Sequence, residues 1–290
     1  MELVLALILL IVIFSIGFLV GAKQQHKNKQ EPYTTFNDGV PQWSPPTSSA
    51  QPISTFDTEV PDEWLASGDK ERALHIAGVK FAVLGKRETC TGDSARRTGN
   101  EFVYQILSKE NIDTFEQVYK NYRGKKKVVA TCPHCFTTIG RDYKQQGFEL
   151  EMVHHTQLLN QLVRDGKLKP VAKSNQQITY HDPCYLGRHN QIYTPPRELL
   201  ASVGLQITEM PRNQERSFCC GAGGGRMWQE EKLGTQINLN RVDEAIATGA
   251  KEVAVACPFC RVMVSDGVQG RQAPVEVLDV AQALLRSVKP

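Results

Sequence analysis

Five of the chain's eight cysteines lie between His181 and Cys260, in an order that no apolar core requires: Cys184, the adjacent pair Cys219 and Cys220, then Cys257-Pro258-Phe259-Cys260. Side chains of neighbouring residues diverge, and a disulfide between them is strained. The pair suits a large multi-atom centre, met from two directions, better than one small ion. Gly221-Ala222-Gly223-Gly224-Gly225 follows directly and lets backbone amides crowd whatever the thiolates hold. An iron–sulfur cluster is the leading expectation. A four-thiolate zinc site is the alternative, against which stand the fifth cysteine and gaps much longer than those of compact zinc modules.

This order of cysteines resembles the cysteine-rich CCG domain of the heterodisulfide reductase B subunit and of related membrane iron–sulfur oxidoreductases. The likeness runs through residues 177 to 265 and includes Tyr180-His181-Asp182-Pro183-Cys184 and Phe218-Cys219-Cys220-Gly221. Residues 74 to 268 as a whole are similar to the C-terminal part of bacterial iron–sulfur proteins that pass electrons from electron-transfer flavoprotein to quinone. The resemblance implies a [4Fe-4S] cluster of non-cubane type on Cys184, Cys219, Cys220, Cys257 and Cys260. It also implies redox partner proteins and the membrane quinone pathway.

Leu3 to Ala22 is apolar apart from Ser15 and two glycines, and at about 1.5 Å rise per residue it covers roughly 30 Å, one hydrocarbon core. A cleaved signal peptide would have a basic leading segment, and none is present. Lys23, His26, Lys27 and Lys29 follow the run while only Glu2 precedes it. The positive-inside rule then sets the N-terminus outside and the rest in the cytoplasm, on a single-pass anchor in the cell membrane at residues 1–22. A reducing compartment agrees with cysteines used for ligation or redox work. A net charge of +3, with Lys and Arg scattered, argues against a nucleic-acid partner.

Residues 23–60 form a linker rich in Pro, Ser and Thr, with no apolar periodicity. A short helix is expected at Val60-Pro61-Asp62 through Trp64 and Leu65, and a strand over Val79 to Leu84. Two helices broken near Asn111 fit the spacing of Phe102, Ile106, Ile112 and Phe115. Lys126 to Ala130 reads as a strand delivering Cys132-Pro133-His134-Cys135, followed by a helix, the strand Phe148 to Val153, and a helix over Leu158, Leu159 and Leu162. Residues 177–290 repeat this plan: Lys251 to Ala256 leads to Cys257, and Val275 to Leu278 precedes a helix over Val280, Leu284 and Leu285. The expected fold is α/β with mostly parallel sheets in two pseudo-repeated lobes, an incomplete one at 61–176 and a complete one at 177–290.

Cys90-Thr91-Gly92 stands in the first lobe where Cys219-Cys220-Gly221 stands in the second. Cys90, Cys132 and Cys135 are therefore further candidate ligands, one short of a cubane set. No counterpart of Cys184 is seen, nor of the strand before it, so a first-lobe cluster is expected to be absent or labile. His134 is expected to face solvent, and a thioredoxin-like exchange role for Cys132 and Cys135 stands as an alternative. His181 and Asp182 are candidates for proton relay or for hydrogen-bond tuning, with a turn or cap role for Asp182 as the plainer reading. Arg96, Arg97, Arg188 and Arg226 flank proposed ligands and would offset cluster charge unless they are simply solvated. The glycine run is not a dinucleotide fingerprint, because Arg226 falls on the third glycine position. The expectation is an iron–sulfur oxidoreductase subunit, with a zinc-stabilised scaffold or a cluster-based thiol and disulfide reductase as rivals.

Overall fold

The computed structural model describes residues 69–124, 126–171, 174–229 and 233–288. The expected anchor, the linker and the helix expected at Val60 to Leu65 lie outside them. Among the described residues no helix is long and apolar enough to cross a membrane.

The described part of the chain opens with helices α1 (Asp69–Ile76), α2 (Asp93–Arg97) and α3 (Glu101–Tyr119). Strand β1 (Lys127–Ala130), helix α4 (Pro133–Thr137), strand β2 (Glu151–His154) and helix α5 (His155–Arg164) follow. Then come β3 (Gln177–Tyr180), α6 (Thr194–Ser202), β4 (Gln206–Ile207), α7 (Ile237–Ala247), β5 (Glu252–Val255), α8 (Pro258–Gly270), β6 (Glu276–Asp279) and α9 (Val280–Leu285). β1 and β2 pair in parallel, with Val129 opposite Val153. A second, four-stranded sheet has the order β4-β3-β5-β6, every pair parallel. β1, β3 and β5 each bury their last three residues in a row, as strands covered on both faces must. The fold is mixed α/β with parallel sheets.

Two junctions are built twice. β1 and β5 both run into a Cys-Pro step, with Cys132 and Cys257 extended at the N-cap and proline in the first turn of α4 and α8. β2 and β6 both end on a capping box: His154 with Gln157 starts α5, and Asp279 with Gln282 starts α9. The two sheets share one apolar core, in which Val128, Ile139 and Leu159 pack in the same cluster as Tyr180, Leu278 and Leu284.

Two expectations fail here. Val79 to Leu84 is not a strand. In the second sheet β4 is held only by β3, and among the described residues the first sheet has no strand in the place of β3, so the segment corresponding to β4 has no ladder to join. The helix break near Asn111 is absent, because α3 runs unbroken through it. Asn111 faces inward, and its Nδ2 donates to the carbonyls of Leu107 (2.8 Å) and Cys90 (2.9 Å). The buried face of α3 is accordingly Tyr104, Ser108, Asn111, Phe115 and Tyr119. Phe102 and Ile106 lie on the outer face, 75% and 49% exposed.

Glu71 in α1 is buried with neither carboxylate oxygen hydrogen-bonded, and burial pushes its carboxyl up to about 7. Between its ordinary value and about 7 the folded chain keeps a proton that the unfolded chain has released, so stability falls as pH rises through that window. Glu71→Gln should flatten this slope, leaving the part due to Glu88, which burial and then the Glu71 charge push up to about 9. Urea midpoints should show a gain of about 2 kcal/mol near pH 8 and almost none near pH 4; equal gains at both would mean the carboxyl is not the cause.

Candidate metal centre

Each cysteine is placed by a local device of the fold. Cys257 ends the buried strand β5, and Cys260 lies in the first turn of α8. Cys184 sits in the turn after β3, where the amides of Leu186 and Gly187 both donate to the Pro183 carbonyl. Cys219 and Cys220 lie in the loop after the 3₁₀ turn Gln214–Arg216. At Gly221 the amide donates to Cys219 Sγ (3.3 Å) and φ is 96°. A Cβ there would meet Met263 Cε at 3.2 Å and Ile237 Cβ at 3.3 Å, so the chain can turn under the pair only without a side chain.

The sulfurs converge. Cys184 lies beside Cys219, Cys219 beside Cys220, Cys220 beside Cys260, and Cys260 beside Cys257, each close enough to shift its neighbour's ionisation. Sulfurs of Cys220 and Cys260 and a ring nitrogen of His181 all lie within 4.8 Å of one another. In the first half Cys132 and Cys135 are likewise neighbours, Thr91 Oγ1 donates to Cys135 Sγ (3.6 Å), and the Gly92 amide donates to Cys90 Sγ (3.5 Å). The sequence suggests two separate arrays. The fold joins them, because Cys132 is also in hydrogen-bonding reach of Cys257.

The thiols do not ionise independently. Donation from Cys184 and Cys220 holds the Cys219 thiol far below its usual range, and that same donation pushes Cys220 up to about 12 and Cys184 higher still. Burial raises Cys132, but donation from Cys135 and Cys257 and the nearby His134 charge pull it well down, while donation to Cys132 drives Cys135 up. Burial, then donation to Cys132, raises Cys257, and contacts with Cys220 and Cys257 raise Cys260. Within each array one thiolate is stabilised at its neighbours' expense. Full deprotonation needs cationic charge among the sulfurs, which is what a metal cluster supplies. The donor set fits such a group.

Several neighbours stand where the sequence did not put them. His134 is 4% exposed rather than solvent-facing. It donates from Nδ1 to Asp93 Oδ2 (2.8 Å), stacks on Tyr185 at 3.8 Å and meets the edge of Phe259 at 5.0 Å. Burial pulls the imidazole down, but the Asp93 hydrogen bond together with the nearby Cys132 and Asp93 charges raises it above its ordinary value. Thiol exchange requires an accessible thiolate, and Cys132 and Cys135 are both buried. Asp182 forms a bidentate ion pair with Arg197 (2.7 and 2.8 Å) and accepts from the Gln214 amide (2.9 Å). That is an anchoring role. Arg97 binds Asp93 (3.0 Å) and Asp142 (2.7 Å), so its charge is already met by carboxylates. Arg96 lies over the Tyr104 ring at 4.5 Å, Arg188 donates to the Ser217 carbonyl just ahead of Cys219, and Arg226 is exposed.

Arg241 was missed. It is 1% exposed on the inner face of α7, and its Nε donates to His181 Nδ1 (2.9 Å). The available signal was an arginine in phase with Asn238, Val242 and Ala245 on an otherwise core-facing stripe.

Comparison with known proteins agrees with this geometry. The family model described as a cysteine-rich domain (CCG) matches residues 69–140 and 178–265. The chain is 43% identical over 220 residues to the probable iron-sulfur-binding oxidoreductase FadF of Bacillus subtilis, covering 75% of this chain and 30% of that protein. It is 44% identical over 227 residues to an EtfAB:quinone oxidoreductase of Syntrophomonas wolfei, covering 75% and 31%. It is 35% identical over 224 residues to the D subunit of the dihydromethanophenazine:CoB--CoM heterodisulfide reductase of Methanosarcina barkeri, covering 75% and 54%. The chain thus spans about a third to a half of the length of these relatives. With both halves matched and the cysteines of the two halves meeting where Cys132 lies beside Cys257, the chain belongs to the cysteine-rich CCG domain family.

Proposed function

We propose that this chain is an iron–sulfur oxidoreductase module that relays electrons between a soluble donor, with electron-transfer flavoprotein as the leading candidate, and the quinone pool or a partner redox subunit. The observation that carries the proposal is the contiguous set of Cys184, Cys219, Cys220, Cys257 and Cys260. These five would hold a [4Fe-4S] cluster of the non-cubane type. When bound, that group supplies one-electron transfer. The chain's own residues position it: Gly221 brings the Cys219 and Cys220 backbone close, the Cys257-Pro258 step fixes one edge, and the Asp182–Arg197 pair sets the turn that presents Cys184. Names of relatives that include EtfAB:quinone and heterodisulfide activities support a redox partner.

Residues 1–22 anchor the module in the cell membrane by a single pass, residues 23–60 tether it, and the lobes at 61–176 and 177–290 face the cytoplasm. One span does not build a quinone pocket, so a partner protein supplies it. Deleting residues 1 to 22 should move the protein to the soluble fraction with its iron intact; retention on membranes would reject the anchor.

Anaerobic purification with iron, sulfide and zinc analysis tests the cofactor. The expected result is a brown protein with about four irons per chain and a matching amount of acid-labile sulfide. A colourless, zinc-loaded protein would overturn the proposal.

A further inference from the structure

We infer that His181 is a hydrogen-bond donor to the sulfur array at Cys220 and Cys260, not a metal ligand, and that the buried guanidinium of Arg241 fixes it in that role. The inference rests on the iron–sulfur reading above.

The argument begins with what each nitrogen can do. A guanidinium has donors only. Arg241 Nε lies 2.9 Å from His181 Nδ1, so Nδ1 is the acceptor and carries no proton. A neutral imidazole then has its proton on Nε2. Arg241 cannot turn away, since Nη1 is held by the Arg212 carbonyl (2.8 Å) and Glu244 (2.6 Å).

That leaves one polar atom unexplained. His181 is 1% exposed, and its Nε2 has no hydrogen-bond partner. The ring lies beside Cys220 and Cys260, with ligand atoms of the three residues within 4.8 Å of one another. By spacing alone this trio is a metal site. By protonation it is not, because a ring with its free nitrogen protonated has no lone pair to give. An N–H facing sulfur does the opposite of a ligand: it leaves the metal's coordination unchanged and stabilises extra electron density on the sulfur. Its effect is to favour the reduced state. His181 is thus a positioning and tuning residue, acting on the cluster through the array.

The test compares full-length wild-type protein with His181→Leu and His181→Gln, all purified anaerobically. Leucine removes the donor. Glutamine can accept from Arg241 with its carbonyl and donate with its amide. The expected result is unchanged iron content in all three. The midpoint potential of His181→Leu should be lower by about 59 mV, a tenfold change in a one-electron equilibrium. His181→Gln should recover most of that shift. Pulsed paramagnetic resonance of the reduced wild type should show an exchangeable proton coupled to the cluster that His181→Leu lacks. Loss of iron in both variants, with stability unchanged, would make His181 a ligand and overturn the inference. So would an unaltered potential in iron-loaded His181→Leu. If the single leucine variant does not accumulate, His181→Leu/Arg241→Met removes both ends of the buried pair and is read by the same potential and spectrum. Wild-type protein with no iron at all is a different result, which rejects the cluster reading beneath this one.

Discussion

Replacing Cys257 or Cys260 with serine should take the iron content from about four per chain to near zero, whereas Cys132→Ser or Cys135→Ser should leave it within about one iron of wild type. The asymmetry follows from ligand count. Cys257 and Cys260 belong to a five-cysteine set, and loss of one soft ligand also frees the loops that the metal holds folded. In their own half Cys132 and Cys135 have Cys90 as a third cysteine, with no equivalent of Cys184 among the described residues. The contact between Cys132 and Cys257 adds a refinement. Cys132→Ser should keep the iron but alter the paramagnetic resonance spectrum, since it changes the group packed on a ligand sulfur. Cys135, one sulfur further away, should have the smaller spectral effect. A wild-type count near eight, with both cysteine pairs equally sensitive, would show that the first array is completed from elsewhere and carries its own cluster.

Asp182→Ala should destabilise the protein by about 3–5 kcal/mol in denaturant titrations. Asp182 is buried, and its removal leaves the Arg197 guanidinium, itself only 15% exposed, with Glu209 as its remaining carboxylate partner. It also strips the Gln214 amide of its acceptor at the start of the loop leading to Cys219. Both connections run from the Cys184 turn into neighbouring elements. The variant should therefore bind iron less tightly in proportion to its loss of stability, and Arg197→Ala should reproduce it. A variant of wild-type stability that has lost electron transfer would instead make Asp182 a proton relay.

Much of this was legible because parallel strands buried on both faces leave a plain trace. Lys127–Ala130 and Glu252–Val255 are short apolar runs that end in Cys-Pro, and both the strand and the helix that follows it sit where the residues imply. What escaped were positions where a polar side chain has an inward partner. Asn111 reads as a helix breaker until the Cys90 carbonyl is seen opposite it. His134 reads as a surface residue because its acceptor, Asp93, and its stacking ring, Tyr185, lie far away in the chain. The spacing of Phe102 and Ile106 marks a helix but not its buried face, which is set by Tyr104, Ser108, Asn111, Phe115 and Tyr119. Val79 to Leu84 has strand composition, but composition cannot supply a missing neighbour.

The network of sulfurs is not shielded evenly. Cys132, Cys135, Cys220, Cys257 and Cys260 are buried, while Cys90, Cys184 and Cys219 are only partly covered. Dissolved oxygen should therefore meet Cys90, Cys184 and Cys219 before the other five. In air, oxidation of the five-cysteine set should begin at Cys184 and Cys219 and reach Cys257 and Cys260 last, because it follows thiolate access.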